Sequence, residues 1–185
     1  MKRVNKNIMN TGKIFENDFR SSINKDRCLL IRLNDQPQSF AKTAKFSLKS
    51  PCDFILYDSL TKRLIPLELK TTKYKSISFD KLNESDNSSS SKMIHRHQII
   101  GLENFSKFDG VISGFLYNFR DEQHDTERTY FQNIKDFLKM YREINKQSFN
   151  ELDILLYGAK KINGIKKRTK FHWNIDELLD SISNE

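Results

Sequence analysis

Asp53, Glu68 and Lys70 form a set of two carboxylates and an amine that could cleave a phosphodiester. In the run Leu64-Ile65-Pro66-Leu67-Glu68-Leu69-Lys70, apolar Ile65, Leu67 and Leu69 alternate with Pro66, Glu68 and Lys70. A strand sends the two sets to opposite faces, so Glu68 and Lys70 stand together on one of them. If residues 53–57 form the partner strand, with an even turn centred on Leu60 and Thr61, Tyr57 pairs with Leu64 and Asp53 stands opposite Glu68. Opposed residues share a face with Cβ atoms about 4.5–5.5 Å apart, and two carboxylates so placed repel unless a cation sits between them. A hard divalent ion such as Mg²⁺ meets that need with one or two protein carboxylates plus water and phosphate. With Lys70 to hold a water or contact a phosphate, the set has the parts for phosphodiester hydrolysis. The same residues could equally make an exposed charged hairpin with a cross-strand ion pair.

The elements around this trio follow from periodicity and turn chemistry. Residues 11–25 predict a helix with Thr11 as cap and Phe15, Phe19 and Ile23 on one side. Residues 28–33 predict a buried strand, and residues 34–50 a short projecting loop or stalk. The polar, serine-rich residues 83–92 predict a mobile surface loop. A helix is expected from about His95 to Ser106, a long apolar strand over 110–119, and another strand over 128–131. Asn133 caps a helix bearing Ile134, Phe137, Leu138 and Tyr141, and Ser148-Phe149-Asn150-Glu151 has the form of a capping box. Asn163-Gly164, between Ile162 and Ile165, is a hairpin-turn signal, and Asn174 caps a last helix. The sum is one α/β domain over residues 1–185, a central mixed β-sheet flanked by helices.

Composition narrows the partners. The formal net charge is +8 in 185 residues, which favours a polyanion such as DNA. Lys160, Lys161, Lys166, Lys167, Arg168 and Lys170 surround the Asn163-Gly164 turn, with Phe171 and Trp173 as an apolar anchor. Residues 158–173 therefore predict a basic hairpin that follows phosphates. No run of about 18 apolar residues exists to span a membrane. The basic N-terminus has no apolar segment after it, and the two cysteines make neither a disulfide framework nor a zinc site. A cytoplasmic location is expected. Gln98 lies on the helical face defined by Ile94, Leu102 and Phe105, where a polar side chain needs a partner. His95 and His97 open the same helix without a third ligand nearby, so structural or phosphate-contacting roles suit them better than zinc.

Pro51-Cys52-Asp53, followed after fourteen residues by Glu68-Leu69-Lys70, resembles the PD-(D/E)xK nuclease signature. In detail the chain resembles the RecU-type Holliday junction resolvases and their phage relatives. Gly12-Lys13-Ile14-Phe15-Glu16 is similar to their first helix, Thr71-Thr72-Lys73 to the Thr/Lys-rich segment after the Glu-x-Lys, and His97-Gln98 to the pair opening the next helix. Gly110–Phe119 and the tail from Ser148 to Asp176 also match in order. The resemblance implies a restriction-endonuclease-like fold and a homodimer that cuts four-way DNA junctions by paired nicks in recombination and repair. It implies 5′-phosphate products and dependence on Mg²⁺, with Mn²⁺ as a substitute. It assigns Asp53 and Glu68 to the metal with Glu16 assisting, Lys70 and Gln98 to catalysis, and Thr72 and Lys73 to DNA. Another nuclease of the superfamily, cutting duplex or flap DNA, and a non-catalytic DNA-binding protein are the alternatives. The segment Asn34–Ser50 is shorter than the stalk of the cellular enzymes and Cys52 replaces a small polar residue. The short segment and the Lys-, Asn- and Ile-rich composition point to a phage-encoded chain, acting in the host cytoplasm.

Overall fold

A strand that is apolar on both faces needs cover on each side of its sheet, and here helices provide it around the central strands. The computed structural model describes residues 10–33, 50–82, 91–121, 123–124 and 126–183. Most of the expected loop or stalk at 34–50 and of the serine-rich loop at 83–92 lies outside them. Six strands form the main sheet: β1 (Cys28–Arg32), β2 (Phe54–Asp58), β3 (Arg63–Thr72), β5 (Gly114–Asp121), β6 (Thr126–Asn133) and β8 (Lys160–Ile162), in that spatial order. All neighbours are antiparallel except β3 and β5, which run parallel. Pro66 has no N–H to donate, and the ladder between β3 and β5 is interrupted there, between the Leu64–Val111 bridge and the Leu67–Gly114 pair.

Helices cover both faces. On one side α1 (Thr11–Ser22) and α5 (Ile175–Ser183) pack Phe15, Phe19, Leu178 and Leu179 against Phe54, Leu56, Ile65, Leu67 and Leu69. On the other, α2 (Arg96–Phe105), α3 (Ile134–Glu143) and α4 (Glu151–Leu156) enclose Phe115, Tyr117, Phe119 and Phe137. The expected α/β architecture with a central mixed sheet flanked by helices is the one observed. A short pair, β4 (Ser76–Ser78) with β7 (Ser148–Asn150), joins the second layer, and β9 (Gly164–Lys167) pairs with β10 (Lys170–Trp173) beside α1.

Several local expectations change. Asn10, not Thr11, caps α1, its side chain accepting the Gly12 N–H at 3.0 Å, and α1 ends at Ser22. β1 is an edge strand, not a buried one: Leu29 and Ile31 are 58% and 48% exposed, and only the Cys28–Leu30 side packs into the core. The strand expected over 110–119 starts at Gly114 because Gly110, at φ 79°, sits in a turn. Asn150 rather than Ser148 opens α4, in a capping box with Asp153, because Ser148–Asn150 is taken by pairing with β4. The basic hairpin turns at Arg168-Thr169 rather than at Asn163-Gly164, where the chain instead leaves the main sheet. A Cβ at Gly164 would lie 2.5 Å from the Phe171 ring and 2.9 Å from the His172 carbonyl oxygen, so glycine there serves close approach.

At the end of β2 away from Asp53, Arg27 Nε and Nη2 each donate to the fully buried Asp58 carboxylate at 2.9 Å. Arg27 also reaches Asp180 on α5 at 2.8 Å, tying the sheet edge to the last helix. The Arg27 guanidinium holds the Asp58 carboxyl far below its ordinary value of 3.8. Removing one partner of such a buried pair costs about 3–5 kcal/mol, so Asp58→Ala is expected to lose that much in urea unfolding. The lowered pKa means that the contribution is full above pH 3.8 and is lost as pH falls toward the depressed value. Unfolding midpoints measured from pH 7 downward should show a steeper acid decline in the parent than in Asp58→Ala; equal declines would refute this assignment.

Candidate active site

The alternation along β3 sends Ile65, Leu67 and Leu69 into the α1/α5 core and Glu68 and Lys70 to the α2 side. Glu68 is only 3% exposed. Such a buried carboxylate must be paired, because desolvating a lone charge costs several kcal/mol. Lys70 Nζ lies 2.9 Å from Glu68 Oε1, and Gln98 Nε2 donates to the same oxygen. Gln98 is held by its other end, since its Oε1 accepts the His95 N–H at 2.9 Å. The amide orientation follows from that pairing, which leaves the NH₂ group for Glu68. Gln98 thus meets the need for a partner that its position implied.

Asp53 sits where the β2–β3 ladder ends. Tyr57 pairs with Leu64 and Phe54 with Leu67, which is the expected register; one more step of the same register would bring Asp53 opposite Glu68, but the ladder stops at Phe54. The Asp53 N–H donates to the Leu67 carbonyl at 3.1 Å, and Asp53 Oδ2 accepts the Leu69 N–H at 2.8 Å. The carboxylate therefore takes the place of a missing strand partner and is fixed between two residues of β3. Its neighbour Cys52 is buried, and burial pushes its thiol up to about 12, so it is a thiol rather than a thiolate near neutral pH.

Two positioning devices were not legible in the sequence. A Cβ on Gly101 would meet the Pro51 carbonyl oxygen at 2.7 Å and the Pro51 Cβ at 2.8 Å, so α2 approaches the segment before Asp53 at a distance only glycine permits. Asp80 lies across the α2 N-terminus, its Oδ2 accepting the Arg96 N–H at 3.2 Å with the His95 ring Nδ1 at 3.3 Å. The His97 ring stacks on His95 at 5.7 Å. The H-x-H pair is part of this cap, as its structural reading expected.

Glu16 on α1 pairs with Arg32 of β1 at 2.6 Å. Burial raises its pKa; the Arg32 charge opposes that rise and the Asp53 charge adds to it. Glu16 thus belongs to the electrostatic surroundings of Asp53 with its carboxylate on an arginine. Among the described residues, no three His, Cys, Asp or Glu side chains converge as a ready-made metal cage. Asp53 at the end of β2 and Glu68 on β3 carry hard oxygen donors of the kind that Mg²⁺ accepts with only one or two protein carboxylates.

The basic residues divide. Lys166, Lys167, Arg168 and Lys170 are exposed on the β9–β10 hairpin. That hairpin docks on α1 through Phe171 N–H to Asp18 at 3.2 Å, Trp173 N–H to Ser22 Oγ at 3.1 Å, and Trp173 edge-on to Phe15. Lys161 is exposed on β8, whereas Lys160 Nζ donates to the Ser181 carbonyl at 2.7 Å. Thr72 is buried and its hydroxyl accepts the Tyr74 N–H, so of the Thr72-Lys73 pair only Lys73 presents its side chain to a ligand.

No protein-family model matches the chain. It is 28% identical over 184 residues to the SPbeta prophage-derived uncharacterized protein YotM of Bacillus subtilis (strain 168), spanning 94% of this chain and 87% of that protein. Among solved structures it is similar to Hjc of Archaeoglobus fulgidus, a Holliday junction resolvase from an archaeal hyperthermophile. That likeness has a TM-score of 0.45 and 17% identity over 78% of this chain and 93% of the other.

Gly101→Ala separates helix propensity from site geometry. Alanine is the better helix former by about 1 kcal/mol, yet here its methyl must displace the Pro51 backbone. The variant is expected to melt below the parent and to lose the Asp53–Leu69 hydrogen bond, seen as faster amide exchange at Leu69 by NMR. A more stable variant with Leu69 protection unchanged would show that this contact positions nothing.

Proposed function

We propose that this chain is a Mg²⁺-dependent, structure-selective DNA endonuclease that resolves four-way junctions by paired nicks. The observation that supports the reading is a buried Glu68 whose oxygen is held by Lys70 and Gln98, with the Asp53 carboxylate fixed on the N–H of the next residue, Leu69. A charged surface hairpin gives no reason to bury Glu68 or to recruit a glutamine from another helix. Asp53 and Glu68 are the residues that would hold the ion, with Mn²⁺ as a substitute. When bound, the ion lowers the pKa of water and offsets charge developing at the phosphorus.

The chain's own groups do the rest. Lys70 places an ammonium beside the carboxylate pair, where it orients the attacking water and neutralises phosphate charge as the P–O bond to the 3′ oxygen breaks. Gln98 fixes the Glu68 rotamer. Glu16, restrained by Arg32, biases the field at Asp53. The basic hairpin on α1 tracks phosphates of the bound duplex, an attraction that weakens steeply with salt. Two copies of the chain, one per strand, are needed for paired nicks, so the active species is a homodimer. The prophage origin of the similar B. subtilis protein supports a phage setting.

Cleavage of a labelled four-way junction beside a matched linear duplex, in Mg²⁺ and again in EDTA, tests the proposal. Paired nicks in the junction alone are expected, with loss in EDTA and at least a hundredfold loss in Glu68→Ala. Equal cutting of both substrates would keep the chemistry and assign the chain to the duplex- or flap-cutting nucleases. Binding without cutting at any Mg²⁺ concentration would refute the endonuclease.

A further inference from the structure

At the C-terminal ends of the parallel strands β3 and β5 lies a cleft of about 680 Å³, lined by Lys73, Tyr74 and Lys75 after β3 together with Arg120, Asp121, Arg128 and Glu151. Its two arginines are each neutralised by a glutamate, and Asp121 adds one negative charge. Arg120 pairs with Glu127, Arg128 with Glu151 at 2.7 Å, and Asp121 with the His124 ring at 2.7 Å. Lys73 and Lys75 enter no ion pair among the described residues, so they set the sign of the cleft.

Between them Tyr74 is 71% exposed. A tyrosine so placed adds little to the core, yet it is not loose. Its N–H donates to Thr72 Oγ1 at 3.0 Å, and Thr72 is buried at the end of β3, the strand that carries Glu68 and Lys70. An exposed aromatic ring between lysines, on a rigid support, has the make-up of a stacking platform for single-stranded nucleic acid. Bases inside a continuous duplex have both faces covered by their neighbours. Only an unpaired or splayed base can offer one to a side chain.

The strand rise of about 3.3 Å per residue puts the Tyr74 backbone within roughly 13 Å of that of Lys70, about four base steps of duplex. We infer that Tyr74 stacks on an unpaired base of the bound DNA, with Lys73 and Lys75 on the flanking phosphates, and so makes the protein prefer branched DNA to linear duplex. This rests on the reading of Asp53, Glu68 and Lys70 as a phosphodiester-cleaving site.

The test uses the full chain and a forked DNA with 2-aminopurine at an unpaired position beside the branch. Binding is read in the Glu68→Ala background, so that cleavage does not intervene. Fork binding should quench the 2-aminopurine fluorescence. Adding Tyr74→Ala should abolish the quench and weaken fork affinity about five- to a hundredfold, with linear-duplex affinity unchanged, while Tyr74→Phe retains both. Lys73→Ala with Lys75→Ala should lower affinity for fork and duplex alike and flatten the salt dependence. A Tyr74→Ala variant with the parent's quench and fork preference overturns the inference, and cleavage by the otherwise unchanged chain would then leave the nuclease intact. Conversely, quenching lost in Tyr74→Ala while the parent cuts nothing would support the stacking contact and defeat the nuclease reading alone.

Discussion

The burial of the Glu68 carboxylate constrains the rest of the site. A lone carboxylate at that depth would be several kcal/mol unfavourable, so the sheet tolerates it only with cationic and hydrogen-bonding partners in place. Lys70 comes from two residues along the same strand and needs only the strand's pleat. Gln98 comes from α2 and needs the whole helix to be placed correctly. Asp80 across the helix N-terminus and the close Gly101–Pro51 contact supply that placement, and the second of these also brings in the segment that leads to Asp53. One buried charge is thereby coupled to the positions of a helix, a strand end and a second carboxylate.

Stability and chemistry are separated along β2. At its Asp58 end the pair with Arg27 is buried and fully hydrogen-bonded, and it reaches α5 through Asp180. At the Asp53 end the ladder runs out, and a side-chain carboxylate rather than a backbone carbonyl takes the Leu69 N–H. A group that replaces a ladder bond is rigid and still close to solvent, which suits a ligand site. The faces of the sheet divide in the same way. The α1/α5 side is uninterrupted apolar packing behind β3, whereas the α2 side admits Glu68, Lys70 and Gln98 beside its aromatic cluster.

The excess positive charge is distributed over structures that the apolar core anchors. The β9–β10 hairpin exposes lysines but is fastened to α1 by Phe171 and Trp173, and the Lys73-Tyr74-Lys75 turn is fastened to β3 by Thr72. A cation on a fixed support loses less freedom when it meets a phosphate than one on a loose tail, so this arrangement favours shape-dependent recognition of a polyanion.

Short-range rules made much of this protein legible from its residues. The period of two over Ile65–Lys70, and a turn of even length, set the β2–β3 register, and with it the place of Asp53 at the end of that ladder, before any tertiary contact is considered. Asn133 and Asn174 announced their helices because capping is a local hydrogen bond. Where the sequence misled, a distant partner decided: β4 claimed Ser148–Asn150 and moved the α4 cap, β10 claimed Gly164–Lys167 and moved the hairpin turn, and edge position left β1 half exposed. The Glu16–Arg32 pair, the Asp80 cap and the Gly101–Pro51 contact join residues 15 or more positions apart, and no periodicity encodes such pairings. Which side chains share a face follows from the order of residues, since that depends on backbone geometry over a few positions. Which faces are buried, and what they meet, is set by the assembled fold, because burial depends on elements that the chain brings together from far along its length.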